Sequence, residues 1–167
     1  MAGLQPEAQE LVTRLGLAPH PEGGYFRETW RSPSRVQTPR GERSALTVVH
    51  YLLPSGTFSG FHRVQADEVW QFAGGGTLEL HVIEPGGAHE TFRIGRAGAG
   101  GVLPHVVVPA GCWQAARPAG PSHVLVNCTV APGFDWADFE MAREEDLLRV
   151  RPDLASTIRG LCRPAAS

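Results

Sequence analysis

The sequence predicts an all-β fold: a small jelly-roll barrel with short helices at its N- and C-terminal ends. Three observations predict it. Strand-like runs recur between residues 45 and 130, with Gly or Pro turns about every 8–12 residues, the spacing of a sandwich or barrel. The chain holds 20 glycines and 14 prolines in 167 residues, which suits many tight turns better than a helical bundle. His62 and Glu68 stand on two successive short strands, and Pro109-Ala110-Gly111-Cys112-Trp113-Gln114 lies downstream, able to close on the same pocket. That is the layout of a double-stranded β-helix with its site inside.

Each element follows from local signals. Residues 6–16 read as a helix: Pro6 starts it, acids fill the first turn, Leu4, Leu11 and Leu15 form a stripe, and Gly16 stops it. Residues 19–24 form a turn and 25–30 a strand. Residues 32–41 are polar with two prolines and read as a mobile loop. Residues 45–53 are nearly all apolar, as in a strand buried on both faces. Further strands are expected at 57–64, 68–72, 77–83, 90–94, 101–108, 112–116 and 122–130. Residues 143–148 and 153–161 look helical. We read one domain over residues 1–167, with the barrel core at about 24–140.

Composition excludes several functions. A formal net charge of −2 gives no electrostatic case for nucleic acid or an anionic membrane. Every basic residue is Arg, so no Schiff-base lysine is possible. Cys112, Cys128 and Cys162 are odd in number and in no CxxC, which speaks against a disulfide framework or zinc ribbon and fits a reducing compartment. The N-terminus lacks a charged and then apolar leader, and no run reaches the ~18 apolar residues of a membrane helix. The expectation is a cytoplasmic protein.

Strand parity decides which side chains share the interior. His62 and Val64 share one face of their strand; Glu68, Trp70 and Phe72 share one face of the next. If His62 points inward with Glu68, within hydrogen-bond or one-water reach, the result is a polar pair under an aromatic wall, the composition of a small-molecule pocket. Asn127 is the only Asn of the chain and is a further candidate, as is His50 in its apolar strand. Each has a plain alternative: His62 as a core histidine bonded to backbone, Glu68 as a surface acid, and Trp70 and Phe72 as core. A His and a Glu together on an inner face need a reason.

These motifs resemble the cupin superfamily. His62 and Glu68 take the first His and the Glu of the first cupin motif, which Gly75 closes, and Val64 stands where the second His belongs. In the second motif Pro109 and Gly111 match and Gln114 replaces the His. The variant resembles the cupin-5 family of small single-domain cupins. Its hallmarks stand here as His20-Pro21-Glu22-Gly23-Gly24-Tyr25-Phe26-Arg27-Glu28-Thr29, Phe61-His62-Arg63 with Asp67-Glu68-Val69-Trp70, and Val108-Pro109-Ala110-Gly111-Cys112-Trp113-Gln114-Ala115. The resemblance implies a jelly roll that is usually dimeric, and we expect residues 25–30 to pair with a second subunit. It does not imply a reaction. Residues 24–30 are also similar to an element of the deoxysugar-nucleotide epimerases of the superfamily, which use an inward His as base without metal.

Three functions stay open at this point. The first is a metal-independent isomerase or epimerase acting on a polar carbonyl or sugar-like substrate. In it His62 is the base, since imidazole titrates near neutral pH, and Glu68 orients it or acts as acid. Arg27 pairs with a carboxylate or phosphate, with Glu28 beside it, while Gln114 and Asn127 donate to the enolate oxygen. The second is a metal-dependent cupin whose ligands are His62, Glu68 and Gln114. One imidazole makes that a poor transition-metal set, so no cofactor is expected beyond a weakly bound divalent metal. The third is a non-catalytic binder of a small metabolite.

Overall fold

The computed structural model describes residues 4–98 and 100–163. Helix α1 (Pro6–Leu15) has Pro at its first position and ends where Gly16 adopts a left-handed conformation. The strands are β1 (Ala18–Pro19), β2 (Tyr25–Arg31), β3 (Arg35–Thr38), β4 (Gly41–Ser44), β5 (Thr47–Leu53), β6 (Ser59–Val64), β7 (Asp67–Gly75), β8 (Leu78–Ile83), β9 (His89–Ile94), β10 (Val102–Leu103), β11 (His105–Val108), β12 (Trp113–Pro118), β13 (Val124–Ala131) and β14 (Phe139–Met141). Helices α2 (Glu144–Val150) and α3 (Ala155–Leu161) follow.

Two six-stranded sheets face each other as a jelly roll. The first runs β1-β2-β5-β13-β7-β11 and the second β10-β9-β8-β12-β6-β14. Alternation along the strands explains why they pack. On β13, Val124, Val126, Cys128 and Val130 are buried while Leu125, Asn127 and Thr129 turn to the other face. The inward rows meet in a core that includes Tyr51, Leu53, Trp70, Leu78, Leu80 and Val126. Outside the second sheet, Leu147 of α2 and Ile158 and Leu161 of α3 cover Phe61, Ile83 and Ala115. Outside the first, α1 packs Ala8, Leu11 and Leu15 around Leu52.

Several sequence expectations change. Residues 32–41 are not a loop: β3 and β4 form a hairpin. Charged groups hold it, with Arg35 bonded to Glu42 and Ser44 and both Arg40 and Arg43 bonded to Asp138, so it carries no apolar period to read. On β5, Tyr51, Leu52 and Leu53 are buried on both sides, but Val48 and His50 are only half-buried, because α1 covers one end of the sheet. Strands β6 and β7 are not hairpin partners. They belong to opposite sheets, so His62 and Glu68 look at each other across the interior. On β2, β1 pairs only with Tyr25 and Phe26; the rest of that edge meets no strand among the described residues.

Candidate functional site

The segment before β2 delivers an acid that the sequence reading left in a turn. His20, Glu22 and the two glycines after it fold tightly, with φ of +112° at Gly23 and +68° at Gly24. A Cβ at Gly23 would lie 2.2 Å from the Phe58 carbonyl oxygen, and one at Gly24 2.6 Å from that of Leu52. Only glycine permits so close an approach. The Glu22 carbonyl accepts from the Gly60 N–H at 2.7 Å and from Arg163 Nε at 2.7 Å. The loop is thereby stitched to β6, and the Glu22 side chain turns into the space between the sheets, 6% exposed.

There it meets His62, which is 2% exposed. The His62 Nδ1–H donates to the Gly60 carbonyl at 2.8 Å, which leaves Nε2 facing Glu22 Oε2 at 3.2 Å. A carbonyl can only accept, so the tautomer is fixed. Nε2 is thereby the nitrogen turned to the Glu22 carboxyl. Ser59 Oγ donates to the other Glu22 oxygen at 2.9 Å. His20 is arranged differently. Its Nδ1 accepts from the Glu22 backbone N–H at 3.2 Å, so its proton sits on Nε2, and burial lowers its pKa despite the nearby Glu22 charge.

Glu68 enters from the opposite sheet, 8% exposed. The Trp70 indole N–H donates to Gln114 Oε1 at 2.8 Å, and Gln114 Nε2 donates to Glu68 Oε2 at 2.6 Å. Burial raises the Glu68 carboxyl above its ordinary range, and the charge of His62 and the Gln114 amide offset only part of that. Tyr51 completes this wall: its hydroxyl donates to the Gly23 carbonyl at 2.6 Å, and burial, reinforced by Glu22, pushes it well up.

These groups line a cavity of about 120 Å³. Its mouth is aromatic. The His20 ring stacks on Trp136 at 5.7 Å, and the His62 ring on Phe139 at 5.5 Å. Phe134 sits edge-to-face against Trp136 at 4.9 Å. The segment carrying these rings is anchored by Asp138, which Arg40 holds at 2.9 Å and Arg43 at 2.8 Å. Arg43 above all keeps that carboxyl below its usual range. A bulge at Thr29 shifts the β2–β5 register, which puts both Glu28 and Arg31 on the cavity. They form a two-bond pair at 2.9 and 2.8 Å, and Arg31 Nη1 donates to the Phe134 carbonyl at 3.0 Å.

The residues expected at the site divide. His62, Glu68 and Glu28 line the cavity. No hydrogen bond joins His62 to Glu68; the direct partner of His62 is Glu22. Gln114 and Trp70 stand behind Glu68 as its support rather than on the cavity. Phe72 packs against the core cluster. Arg27, His50 and Asn127 are corrections: all three lie on the outer face of the first sheet. His50 Nδ1 bonds Asn127 Oδ1 at 2.8 Å, and Arg27 Nη1 donates to the Leu15 carbonyl at 3.1 Å. Strand parity already placed Asn127 with Leu125 and Thr129, opposite the buried valines. Glu22, His20 and Tyr51 were missed. The signal for Tyr51 was its alternation with Val49 and Leu53; nothing in the local pattern told that Glu22 turns inward.

The metal that the cupin resemblance brings to mind does not fit these residues. Gln114 Oε1, the atom an amide would offer a cation, is taken by the indole N–H. Flipping the amide would set its NH₂ against that N–H. Val64 cannot coordinate. Among the described residues no three His, Cys, Asp or Glu side chains converge as a metal set.

Comparisons with known proteins agree with this architecture. A family model described as "Cupin superfamily (DUF985)" matches residues 9–142. The chain is 28% identical to the uncharacterized protein YML079W of Saccharomyces cerevisiae, over 90% of this chain and 83% of that one. It superposes on the crystal structure of protein SO0799 from Shewanella oneidensis with a TM-score of 0.87 and 35% identity, covering 94% of this chain and 98% of that one. A hypothetical protein from Leishmania major gives a TM-score of 0.87 at 30% identity, over 94% and 99% of the two chains. With the glycine-pinned loop, the Glu68 strand and the Gln114 turn all inside the matched span, the chain belongs to the cupin-5 (DUF985) family of the cupin superfamily.

Proposed function

We propose that the protein is a metal-independent acid–base enzyme, an isomerase or epimerase of a small polar carbonyl compound. The observation that carries this reading is the buried pair in which His62 Nε2 faces Glu22 Oε2 at 3.2 Å. With Nδ1–H held on the Gly60 carbonyl, the Nε2 lone pair of a neutral His62 can take a proton from a carbon next to a carbonyl and return it. His62 is the base, and Glu22 stabilises the imidazolium that forms. Glu68 faces the same cavity from the opposite sheet, placed to orient the bound substrate. Aromatic rings of Phe134, Trp136 and Phe139 bound the cavity.

The test is exchange of the α-hydrogen of small carbonyl compounds in deuterated water, followed by NMR. His62→Ala should slow exchange at least about 100-fold, the usual worth of a positioned base, and Glu22→Gln should slow it with a changed pH profile. Exchange that survives His62→Ala would overturn the reading, and exchange abolished by a chelator would move it to a metal centre. We further propose that the open β2 edge pairs with a second copy. A monomer by light scattering at micromolar concentration would refute that.

A further inference from the structure

The charged groups around the cavity are unbalanced. Glu22, Glu28 and Glu68 line it against one guanidinium, that of Arg31. With both histidines neutral, three acids and one base give 1 − 3 = −2. Protonating His62 against Glu22 brings this to −1, and a proton on Glu68 brings it to zero; these proton placements leave no net positive charge. Arg31 is largely committed: three of its five N–H donors are bound, Nε and one Nη to Glu28 and the other Nη to the Phe134 carbonyl, and the Glu28 carboxylate already answers its charge. The remaining guanidinium that the sequence suggested for anion binding, Arg27, sits outside against Leu15.

Glu68 is the acid left without a fixed cation. Its hydrogen-bond donor is the neutral Gln114 amide, and the nearby His62 turns its Nε2 to Glu22. A carboxylate so buried favours any cation brought to it. The way in passes Trp136, Phe139 and Phe134, whose faces also attract cations. Size limits the ligand further. At about 120 Å³ the cavity is on the scale of the roughly 150 Å³ one that takes benzene, so its enclosed part suits a small body rather than a whole nucleotide.

Building on the acid–base reading above, we propose that the cavity takes a small, ring-sized ligand carrying a protonated amine, which pairs with Glu68, and rejects carboxylates and phosphates. The substrate class of the enzyme is thereby an amine-bearing carbonyl compound, amino-sugar-like or an amino ketone, rather than a nucleotide sugar.

The test uses three matched probes, cyclohexylammonium, cyclohexanol and cyclohexanecarboxylate, titrated into the full-length protein. Shifts of the Trp136 indole and His62 ring NMR signals report on the cavity. The amine should bind at least about tenfold tighter than the alcohol, and the carboxylate weakest. Glu68→Gln should bring the amine down to the level of the alcohol while leaving the alcohol unchanged. Three results overturn the proposal: a carboxylate that binds as well as the amine, an alcohol that does, or an amine preference that survives Glu68→Gln. If no probe moves the two signals, the cavity is not a binding site, and the acid–base reading falls with the proposal. A wrong probe order alone leaves that reading standing.

Discussion

His62 and His81 make a useful pair. Both are buried on strands of the second sheet and both meet a glutamate, yet one faces the interior and the other the outside. His81 Nε2 lies 2.9 Å from Glu79 Oε1, and Arg117 Nη2 caps the same carboxylate oxygen at 2.6 Å. Its other nitrogen meets His89 Nε2 at 3.2 Å, with the ring planes 2° apart and the centroids 5.5 Å apart. The near-parallel planes, the 3.2 Å nitrogen separation and the 5.5 Å centroid distance set the two imidazoles edge to edge. Burial pushes Glu79 up, but His81 and Arg117 outweigh it and hold the carboxyl below its ordinary range. Glu68 goes the other way, because no arginine answers its burial. The outer cluster is charge-balanced and structural. The inner one sets His62 against Glu22 with no arginine beside them and leaves Glu68 without a fixed cation, the kind of environment found at functional sites.

The comparison breaks most visibly on stability. Glu22→Ala leaves the buried His62 Nε2 and Ser59 Oγ without their partner. It should cost about 3 kcal/mol in denaturant unfolding. Glu79→Ala removes a partner from a wetter, arginine-rich cluster and should cost about 1 kcal/mol. Equal losses would mean that the inner pair is ordinary scaffolding.

A subtler separation lies in pH. A carboxyl whose folded pKa exceeds its ordinary value of 4.5 keeps its proton in the folded chain after the unfolded chain has lost it. Its ionisation therefore opposes folding. The penalty is absent below the unfolded pKa, grows as pH rises through the folded pKa, and is complete above it. Glu68→Gln removes the penalty. The stability of the variant relative to the parent should rise as pH increases above 4.5 and level off beyond the folded pKa, measured as denaturation midpoints across a pH series. Glu79→Gln should change in the opposite sense and in a lower window, below pH 4.5, since Glu79 is held low: its contribution is present above the unfolded pKa and is lost as pH falls through the folded one. Parallel curves for the two variants would remove the electrostatic distinction between the clusters.

How much of this was legible depended on distance along the chain. Alternation on β13 and β8 gave the sheets and their inner rows, because period-2 burial is local. His62 and Glu68 were legible for the same reason, each on a short strand of definite parity. Glu22 was not: its inward turn is fixed by Gly60 and Arg163, residues 38 and 141 positions away, and no local period encodes such a stitch. The β3–β4 hairpin was missed because ion pairs to Asp138 replace apolar burial as its anchor. Asn127 was misjudged for its rarity, although its parity with Leu125 and Thr129 argued for the outer face.

Arg27 gives the smallest effect and the cleanest check on which face matters. Its position in the His20–Thr29 motif suggested a grip on the ligand. The fold instead sets it outside, exposed, with Nη1 donating to the Leu15 carbonyl in the last turn of α1. A cation at a helix C-terminus contributes only about 0.3–1 kcal/mol, so Arg27→Ala should lower stability by less than about 1 kcal/mol. It should leave the affinity for cyclohexylammonium unchanged, because no part of the cavity wall is Arg27. Arg31→Ala, by contrast, frees Glu28 at the mouth and should raise that affinity. If Arg27→Ala weakened binding as strongly as Glu68→Gln, the ligand would reach round the β2 edge to the outer face. The division between a structural outside and a chemical inside would then no longer hold.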